Sequence, residues 1–252
     1  MTVEKIDAGI SGHGVTAFST LRGRVAPDYP YSEFNACHYT GDSERHVRLC
    51  RRALCQELGI DHDRLIMARQ THSTCVEVVD HIPFGVESLD GVDGLVTSLR
   101  GVALAINTAD CVPLMMCDCE AGVIAAVHSG WRGTVGLIAA RAVEAMRDMG
   151  AEPSRIRAAM GPSICRGCFE VGEDVAERFR RDFPDDVVSA GRGERPHVDL
   201  GAAVRHTLIE SGVNPDRIIL PAVCPRCNPD RFFSARRLGV ASGRTLSVIM
   251  LK

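Results

Sequence analysis

Apolar positions along the chain form two kinds of pattern, some typical of buried strands and some typical of amphipathic helices. Residues 102–106, 112–116 and 122–127 are continuous apolar runs, which predict strands buried on both faces. Residues 43–58 carry apolar side chains at helical spacing and are followed by Gly59, which predicts a helix with a glycine stop. The two patterns alternate without strict βαβ repetition. We therefore predict an α+β fold with mixed β-sheets flanked by helices.

The same apolar patterns, together with capping residues, predict the remaining helices and strands along the chain. An alanine-rich stretch at 134–149 and a polar stretch at 173–181 predict two more helices, and Asp199 is placed to cap a third. Short apolar runs predict further strands at 76–79, 156–160, 218–220 and 246–251. The chain shows no internal repeat and no interdomain linker. We expect residues 1–252 to form a single layered domain.

Composition excludes several classes of function. The chain has 29 Lys and Arg against 32 Asp and Glu, a net charge of −3, so it lacks the basic excess of a nucleic-acid binder. No stretch approaches the roughly 20 apolar residues of a membrane helix, and the first ten residues do not resemble a secretory signal. We expect a cytoplasmic protein that acts on small molecules, with a monomer as the default state.

The chain contains 11 cysteines, an odd number. Without a signal peptide, this number argues against a disulfide framework and for reduced thiols. Most of these cysteines are expected to be small buried hydrophobic residues. A few remain candidates for metal ligands or nucleophiles.

Unusual polar chemistry follows three of the apolar runs, at residues 69–73, 107–111 and 128–134. Strand ends are rigid platforms on which sites are commonly built. A His, a Cys and a second His delivered from three such ends would form a three-ligand nitrogen and sulfur site, which zinc prefers and which leaves one position open. Spacing alone fits a buried cysteine and two hydrogen-bonded histidines at least as well.

Seven segments resemble the signature blocks of one known family, the polyphenol oxidoreductase laccase-domain proteins, whose members are described as purine nucleoside phosphorylases. The blocks occur in order from about residue 17 to the C-terminus, so the resemblance covers nearly the whole chain. They are Gln70-Thr71-His72, residues 93–97, 108–114 and 128–134, Gly161-Pro162-Ser163-Ile164, Phe169-Glu170-Val171-Gly172, and Phe232-Phe233-Ser234 with Arg236-Arg237. The TADCVPL and HSGWRGT blocks are the most specific of these.

The resemblance implies a fold related to that of deamidating bacterial toxins and a zinc ion held by His72, Cys111 and His128. It also implies phosphorolysis of adenosine, inosine and methylthioadenosine, with adenosine deamination as a side activity. The partners would then be purine nucleosides and phosphate. A zinc ion that activates water suits attack on a purine ring carbon, the step that deamination requires.

Four further residues are candidates for roles at this site. Arg132 lies near the start of a predicted helix, where it would bind phosphate or form a surface ion pair. Arg236 resembles a member of the family's paired arginines and is a second candidate for substrate or phosphate binding. Asp110 would transfer a proton, orient a ligand or simply accept hydrogen bonds from turn amides. Cys111 is a candidate catalytic residue as well as a metal ligand.

Three other residues near these blocks are open to simpler interpretations. Trp131 offers a stacking surface for a purine, although core packing is the commoner fate of a single tryptophan. Asp93 is interpreted as a turn former. Ala235 stands where the family usually has an aromatic residue, which puts a stacking role there in doubt.

Two rival activities use the same residues. A copper-dependent polyphenol oxidase is disfavoured because the nine histidines contain no His-x-His pair, although the affinity order allows copper in the zinc site. A cysteine hydrolase or amidase, with Cys111 as nucleophile and His128 as base, is the second rival. Cell-wall precursor editing has been associated with the family.

A non-enzymatic alternative depends on two Cys-x-x-Cys pairs, Cys165 with Cys168 and Cys224 with Cys227. Four such cysteines can form a structural zinc knot for partner binding. The pairs are separated by 55 residues (224 − 168 − 1), much more than zinc ribbons normally use. We therefore expect about one zinc ion per chain, at the histidine and cysteine site, and rank the knot last.

Overall fold

Two mixed β-sheets lie face to face, and helices cover the outer side of each. The computed structural model describes residues 2–25, 29–82, 89–191, 193, 195–221 and 223–252. In chain order its strands are Lys5–Asp7 (β1), Val15–Thr20 (β2), Leu65–Met67 (β3), Val76–Val78 (β4), Gly94–Thr97 (β5), Ala103–Thr108 (β6), Val112–Asp118 (β7), Val123–Ser129 (β8), Arg157–Met160 (β9), Val188–Ser189 (β10), His197–Val198 (β11), Ile218–Ile219 (β12) and Thr245–Leu251 (β13). Its α-helices are Glu44–Leu58 (α1), Trp131–Val135 (α2), Ile138–Asp148 (α3), Glu173–Asp182 (α4), Leu200–Glu210 (α5) and Ala235–Leu238 (α6).

The strand order shows that both large sheets are mixed. The first sheet has the order β1-β2-β13-β6-β3, and the second has the order β12-β9-β7-β8-β5-β4. Pairs β3 with β6, β4 with β5, and β9 with β12 are parallel, whereas the other pairs in these two sheets are antiparallel. Strands β10 and β11 form a separate small antiparallel pair. The prediction of mixed sheets flanked by helices is confirmed.

The continuous apolar runs are explained by burial on both faces of each sheet. Along β7, Leu114 and Met116 pack in a cluster with residues of α3 and α5, while the intervening Met115 points to the cluster between the sheets. Side chains that point to opposite faces alternate along a strand, so a strand buried on both sides needs apolar residues at every position. On the first sheet, Leu104 faces the second sheet and Ala105 faces the layer that contains α1.

Helix α1 begins and ends where its capping residues predict. The Ser43 hydroxyl accepts a hydrogen bond from the backbone N–H of His46 at 3.2 Å, which satisfies one free donor of the first turn. Gly59 adopts a left-handed φ of 67° and closes the last turn. Asp199 caps α5 in the same way, through the backbone N–H of Ala202 at 2.9 Å. The predicted glycine stop after α1 and the predicted Asp199 cap of α5 are confirmed, and Ser43, predicted as the first helical residue, is the capping residue before it.

The prediction of one helix at 134–149 is wrong, because the structure contains two helices in this region. Helix α2 begins at Trp131, the chain turns at Gly136 and Leu137, and α3 begins at Ile138. Leu137 has a φ of 60°, which interrupts the helix. A Cβ atom on Gly136 would lie 2.4 Å from the Cγ2 atom of Thr74, so the turn depends on close contact with a neighbouring loop. Alanine-rich composition carries no signal for such a contact.

Two of the small strands were not predicted. Strands β10 and β11 have two residues each, too few to show alternation. Strand β12, Ile218–Ile219, falls within the strand predicted at 218–220, and that prediction is confirmed. No helix in the described ranges has the length and apolar composition needed to cross a membrane. That residues 1–252 form one domain stays a prediction.

The turn at Leu137 gives a test of the fold on an exposed residue. Leu137 is 46% exposed with left-handed φ, and Leu49 is 45% exposed within α1. A non-glycine residue in the left-handed region costs about 1–2 kcal/mol, more than the roughly 0.5–1 kcal/mol of entropy that glycine costs. Leu137→Gly should therefore raise the free energy of unfolding slightly, by up to about 1 kcal/mol, in urea denaturation.

The matched control for this turn is Leu49→Gly. It removes the same side chain from a helix interior and should lower the free energy of unfolding by about 1 kcal/mol. Equal destabilisation by both substitutions would show that the chain does not turn at Leu137.

Candidate metal centre and active site

Antiparallel pairing of β7 with β8 brings the candidate cysteine and one histidine together. Cys111 directly precedes β7, and His128 is the penultimate residue of β8. The register pairs Val112 with Ser129 and Pro113 with His128, which places Cys111 beside the end of β8. The two residues are 17 positions apart in sequence (128 − 111). Backbone hydrogen bonds between β7 and β8 thus fix them at the same end of these two strands.

The third candidate ligand, His72, reaches this edge on the loop between β3 and β4. His72 has a left-handed φ of 62°, an unusual conformation for a non-glycine residue. The loop is held by the Asp93 carboxylate, which accepts hydrogen bonds from the backbone N–H groups of Thr71, His72 and Ser73 at 2.9, 3.0 and 3.0 Å. The Asp93 side chain thus holds three consecutive residues of a loop that carries a strained residue.

Asp93 also fixes the orientation of His128. Its carboxylate lies 2.6 Å from the Nδ1 atom of His128, and both side chains are buried. Burial raises the pKa of Asp93, but the bond to His128 and the backbone N–H groups outweigh this effect and lower it, so the carboxylate is charged. With Nδ1 engaged, the Nε2 atom of His128 is left for a metal ion.

The interpretation of Asp93 as a turn former is corrected by these contacts. Asp93 is completely buried and connects two of the candidate ligands. The available signal was its position directly before β5, whose four residues are all buried. A carboxylate at the start of such a strand needs several hydrogen-bond donors, and the sequence does not show which residues supply them.

The three candidate ligands form one compact cluster. Their ligand atoms all lie within 4.8 Å of one another, and the Cys111 Sγ atom is 3.8 Å from the His72 Nε2 atom. The rings of His72 and His128 meet edge to face, with centroids 4.8 Å apart. Two imidazoles and a thiol are a donor set that zinc prefers, and three protein ligands leave a position for water or substrate. The residues therefore fit a zinc ion.

Electrostatics favour the thiolate form of Cys111. Burial alone would raise the pKa of this thiol, but the imidazoles of His128 and His72 outweigh it and hold the pKa at about 6. Burial lowers the pKa of His128, while the Cys111 thiolate and Asp93 outweigh burial and raise it to about 9. A metal ion would displace the His128 proton, so its binding would release protons.

Gly130 allows the ligands to approach the backbone. A Cβ atom at this position would lie 2.8 Å from the Cδ2 atom of His72 and 3.0 Å from the Sγ atom of Cys111. The glycine in the HSGWRGT block is thus explained by space and not by a left-handed φ, since its φ is −75°.

A cavity of about 450 Å³ opens next to the cluster. This volume lies in the range of small-molecule sites. Its lining combines the three candidate ligands with aromatic, carboxylate, amide and guanidinium groups. The lining residues are Tyr39, Gln70, His72, Asn107, Ala109, Asp110, Cys111, His128, Ile164, Phe169, Ala235, Arg236, Val240 and Arg244.

Asp110 is a second buried carboxylate in this cavity and, like His72, has a positive φ, of 93°. Its Oδ2 atom accepts a hydrogen bond from the backbone N–H of Arg236 at 2.7 Å. Burial raises the pKa of Asp110, against the opposing effect of this hydrogen bond. The pKa of Asp110 is therefore raised above its ordinary value, whereas the pKa of the adjacent Cys111 thiol is lowered.

The two candidate arginines occupy different places. Arg236 lines the cavity, where its guanidinium lies 5.5 Å from the centroid of the Phe169 ring and donates to the Glu170 carbonyl at 2.9 Å. Arg132 is exposed, is not among the lining residues, and lies 4.4 Å from the centroid of the Trp131 ring. A phosphate contact by Arg132 stays a prediction with less geometric support than one by Arg236.

The aromatic residues at the cavity differ from the sequence expectation. Trp131 is partly buried against the core formed by the helices and the second sheet, and it does not line the cavity. Ala235 does line it, so the missing family aromatic leaves a gap at this wall. Phe169 and Tyr39 line the same cavity and are the aromatic surfaces available to a planar ligand.

A second group of potential metal ligands consists of the four cysteines of the Cys-x-x-Cys pairs. Across the described ranges, this group and the His72, Cys111 and His128 cluster are the sets of three or more side chains suited to a metal ion. Together they contain two histidines, far fewer than an assembly of several copper ions requires.

This arrangement defines a protein with an open histidine and cysteine metal-ligand cluster at the edge of a two-sheet α+β fold. A family model described as multi-copper polyphenol oxidoreductase laccase matches residues 15–252, and the chain belongs to this family.

The relatives share nearly the full length of the chain. It is 47% identical over 259 residues to a protein named adenosine deaminase RL5 from an unknown prokaryotic organism, with 99% of each chain covered. It is 36% identical to a purine nucleoside phosphorylase of Bacteroides thetaiotaomicron, covering 94% of this chain and 92% of that protein. The crystal structure of YlmD from Geobacillus stearothermophilus matches with a TM-score of 0.88 at 30% identity, covering 95% and 92% of the respective chains. The predicted family and fold are confirmed.

The role of Asp93 predicts a loss of metal affinity on substitution. Asp93→Asn should weaken zinc binding by about 10- to 100-fold, because the amide cannot accept from every donor around it and no longer fixes His128. A competition titration with a chromophoric chelator measures the affinity. Asp90→Asn, three residues earlier in an exposed ion pair with Arg69, is the control and should retain it. Unchanged affinity in Asp93→Asn would separate this carboxylate from the metal centre.

The proposed ligand set predicts a specific loss of zinc. Cys111→Ser should contain about one zinc ion per chain fewer than the unmutated protein, because a neutral hydroxyl is a poor zinc ligand. His72→Ala should do the same with an unchanged circular dichroism spectrum. Cys75→Ser, which replaces an exposed cysteine outside both ligand groups, should keep the full zinc content. Full retention by Cys111→Ser would remove this thiol from the site.

Proposed function

We propose that the protein is a zinc-dependent purine nucleoside phosphorylase that acts on adenosine, inosine and methylthioadenosine, with adenosine deaminase side activity. The observation that carries this proposal is that three candidate ligands for one metal ion, which leave a coordination position open, lie beside a cavity of about 450 Å³. This cavity is lined by the buried carboxyl group of Asp110 and by Arg236 and Arg244. The names of the two relatives, adenosine deaminase and purine nucleoside phosphorylase, support the same substrate class.

His72, Cys111 and His128 would hold the zinc ion. When bound there, zinc supplies a Lewis acid that activates an oxygen nucleophile or stabilises developing negative charge. Asp93 would keep His128 in the tautomer that presents Nε2, through the 2.6 Å contact at Nδ1. Copper is an alternative occupant of this donor set, which metal analysis distinguishes.

The lining of the cavity suits a purine nucleoside. Phe169 and Tyr39 offer aromatic surfaces for the base. Asn107 is 3% exposed, and within the described part of the chain neither the oxygen nor the nitrogen of its side-chain amide has a hydrogen-bond partner. Because an unpaired buried amide is costly, we infer that Asn107 donates to and accepts from the edge of the purine.

In phosphorolysis, Asp110 would act as the proton donor and Arg236 would bind phosphate. A phosphate oxygen attacks C1′ of the ribose, the bond from C1′ to the base nitrogen breaks, and the electron pair stays on the base. Asp110, whose pKa is raised by burial, would protonate the departing base. Arg236 would bind the phosphate, since guanidinium groups match the geometry of phosphate oxygens.

A Cys-His hydrolase or amidase is the second candidate function. It is favoured by the proximity of the Cys111 thiol and the His128 imidazole, whose ligand atoms lie within 4.8 Å of each other. This proximity lowers the pKa of Cys111 and raises the pKa of His128, as a thiolate and imidazolium pair requires. Such catalysis and zinc ligation use the same atoms. An activity that survives complete zinc removal and is lost in Cys111→Ser would favour the hydrolase.

Product analysis tests the proposed reaction directly. The zinc-loaded protein is incubated with adenosine, inosine or methylthioadenosine, each with and without phosphate, and the products are separated by chromatography. We expect phosphate-dependent release of free base and ribose 1-phosphate derivatives, together with some inosine from adenosine. Absence of both free base and inosine under all conditions would reject the proposal.

A comparison of two arginines tests the assignment of the phosphate site. Arg236→Ala should lower kcat/KM for phosphorolysis by about 10- to 100-fold, since a charge-assisted hydrogen bond contributes roughly 1.5–3 kcal/mol. Adenosine deamination, which uses water, should fall much less. Arg236→Lys should recover part of the loss, because a point charge does not reproduce a planar guanidinium.

Arg132→Ala is the matched control for this experiment. Its guanidinium stacks on Trp131 outside the cavity lining, so phosphorolysis should change less than in Arg236→Ala. A larger loss in Arg132→Ala, with deamination retained, would move the phosphate site to Arg132.

A further inference from the structure

The two Cys-x-x-Cys pairs meet in the folded chain although 55 residues separate them (224 − 168 − 1). The sulfur atoms of Cys165, Cys168, Cys224 and Cys227 all lie within 4.8 Å of one another, and those of Cys168 and Cys227 are 3.4 Å apart. Zn–S bonds of about 2.3 Å in a tetrahedron place sulfurs about 3.8 Å apart. The cluster therefore has the dimensions of a four-thiolate metal site, and the long separation in sequence does not prevent it.

Hydrogen-bonded turns hold each pair of sulfurs together. The backbone N–H groups of Cys168 and Phe169 donate to the Cys165 carbonyl at 2.9 and 3.1 Å. The second turn is closed by Asn228, whose backbone N–H and side-chain amide donate to the Cys224 carbonyl at 3.1 and 2.9 Å. Both turns are therefore closed by hydrogen bonds in which the four sulfurs take no part.

A backbone contact also joins the two turns to each other. The N–H group of Ser163 donates to the Val223 carbonyl at 3.1 Å, next to the start of both cysteine pairs. The residues between the pairs form α4, β10, β11, α5 and β12 and return the chain to this point. Convergence is thus a consequence of the fold, which the spacing of the cysteines does not show.

The surroundings suit a tetrathiolate site with its excess negative charge. Each pair encloses an arginine, Arg166 in the first and Arg226 in the second. Both arginines line the same surface cavity as Cys165, Cys168 and Cys227. Zinc is the divalent ion that tetrahedral four-sulfur sites most commonly hold, and four protein ligands leave no position open for catalysis.

We propose that Cys165, Cys168, Cys224 and Cys227 bind a second zinc ion, with a structural role. The site is independent of the His72 and Cys111 cluster and of the proposed nucleoside reaction. With this second site, the zinc content to be expected is about two ions per chain instead of about one.

The second site lies beside two walls of the candidate active-site cavity, which a bound zinc ion would stabilise. Ile164 and Phe169, which flank the first cysteine pair, line the candidate active-site cavity, and Arg236 lies on the segment after the second pair. Asp110 contacts both segments, since its carbonyl accepts from the N–H of Ile164 at 2.8 Å and its carboxylate accepts from the N–H of Arg236. A zinc ion would tie together two walls of the cavity, which also meet where the Arg236 guanidinium donates to the Glu170 carbonyl.

Metal counting in matched variants tests the second site. The full chain is purified with a thiol reductant and without chelators, and zinc is measured by mass spectrometry. We expect about two zinc ions per chain in the unmutated protein and in Cys75→Ser, and about one in Cys111→Ser and in the double variant Cys168→Ser, Cys227→Ser. Equal zinc content in the unmutated protein and the double variant would overturn the proposal.

Cobalt spectroscopy tests the site without disturbing its four cysteines. Cys111→Ser is stripped of zinc and titrated with Co²⁺, and the visible and near-ultraviolet absorption is recorded. We expect about one tetrahedral cobalt ion per chain, with the strong charge-transfer absorption of four thiolates, and its displacement by zinc. Absence of this absorption in the folded variant, or disulfide bonds between these cysteines found by peptide mapping of zinc-supplied protein, would overturn the proposal.

Discussion

The candidate active site depends on one buried carboxylate. Asp93 accepts hydrogen bonds from three consecutive backbone N–H groups of the loop that contains His72, and it contacts the Nδ1 atom of His128. Without this anion, the loop would have three unsatisfied donors and His72 would lose support for its left-handed backbone. Burial of a charge is costly, and here four donors compensate for the cost. The candidate metal ligands, which lie on separate elements, are thereby held in one geometry.

The sequence predicted the parts of this arrangement that lie within continuous segments. The apolar runs around residues 102–127 gave the central strands, and the TADCVPL and HSGWRGT blocks supplied Cys111 and His128. Contacts between distant segments were not predictable in this way. Asp93 was interpreted as a turn former because its partners lie 20 or more residues away. The break at Leu137 was missed for the same reason, since it depends on contact between Gly136 and Thr74.

Cysteine sulfurs belong to two different clusters of potential metal ligands in this fold. One thiol, Cys111, belongs to an open cluster with two imidazoles, whereas the four clustered thiols at Cys165, Cys168, Cys224 and Cys227 form a closed set. Open sets suit catalysis and closed sets suit structure. Asp110 contacts segments adjoining both cysteine pairs and lines the cavity, so the closed set would support the walls while the open set performs the chemistry.

The most direct test of this account is anomalous X-ray diffraction from crystals of the metal-replete protein, measured on both sides of the zinc and copper absorption edges. We expect a zinc peak within bonding distance of the His72 Nε2, Cys111 Sγ and His128 Nε2 atoms, with the Asp93 carboxylate on the opposite nitrogen of His128. A copper signal at that position, or a fully occupied metal site elsewhere with no signal among these three atoms, would contradict the central claim.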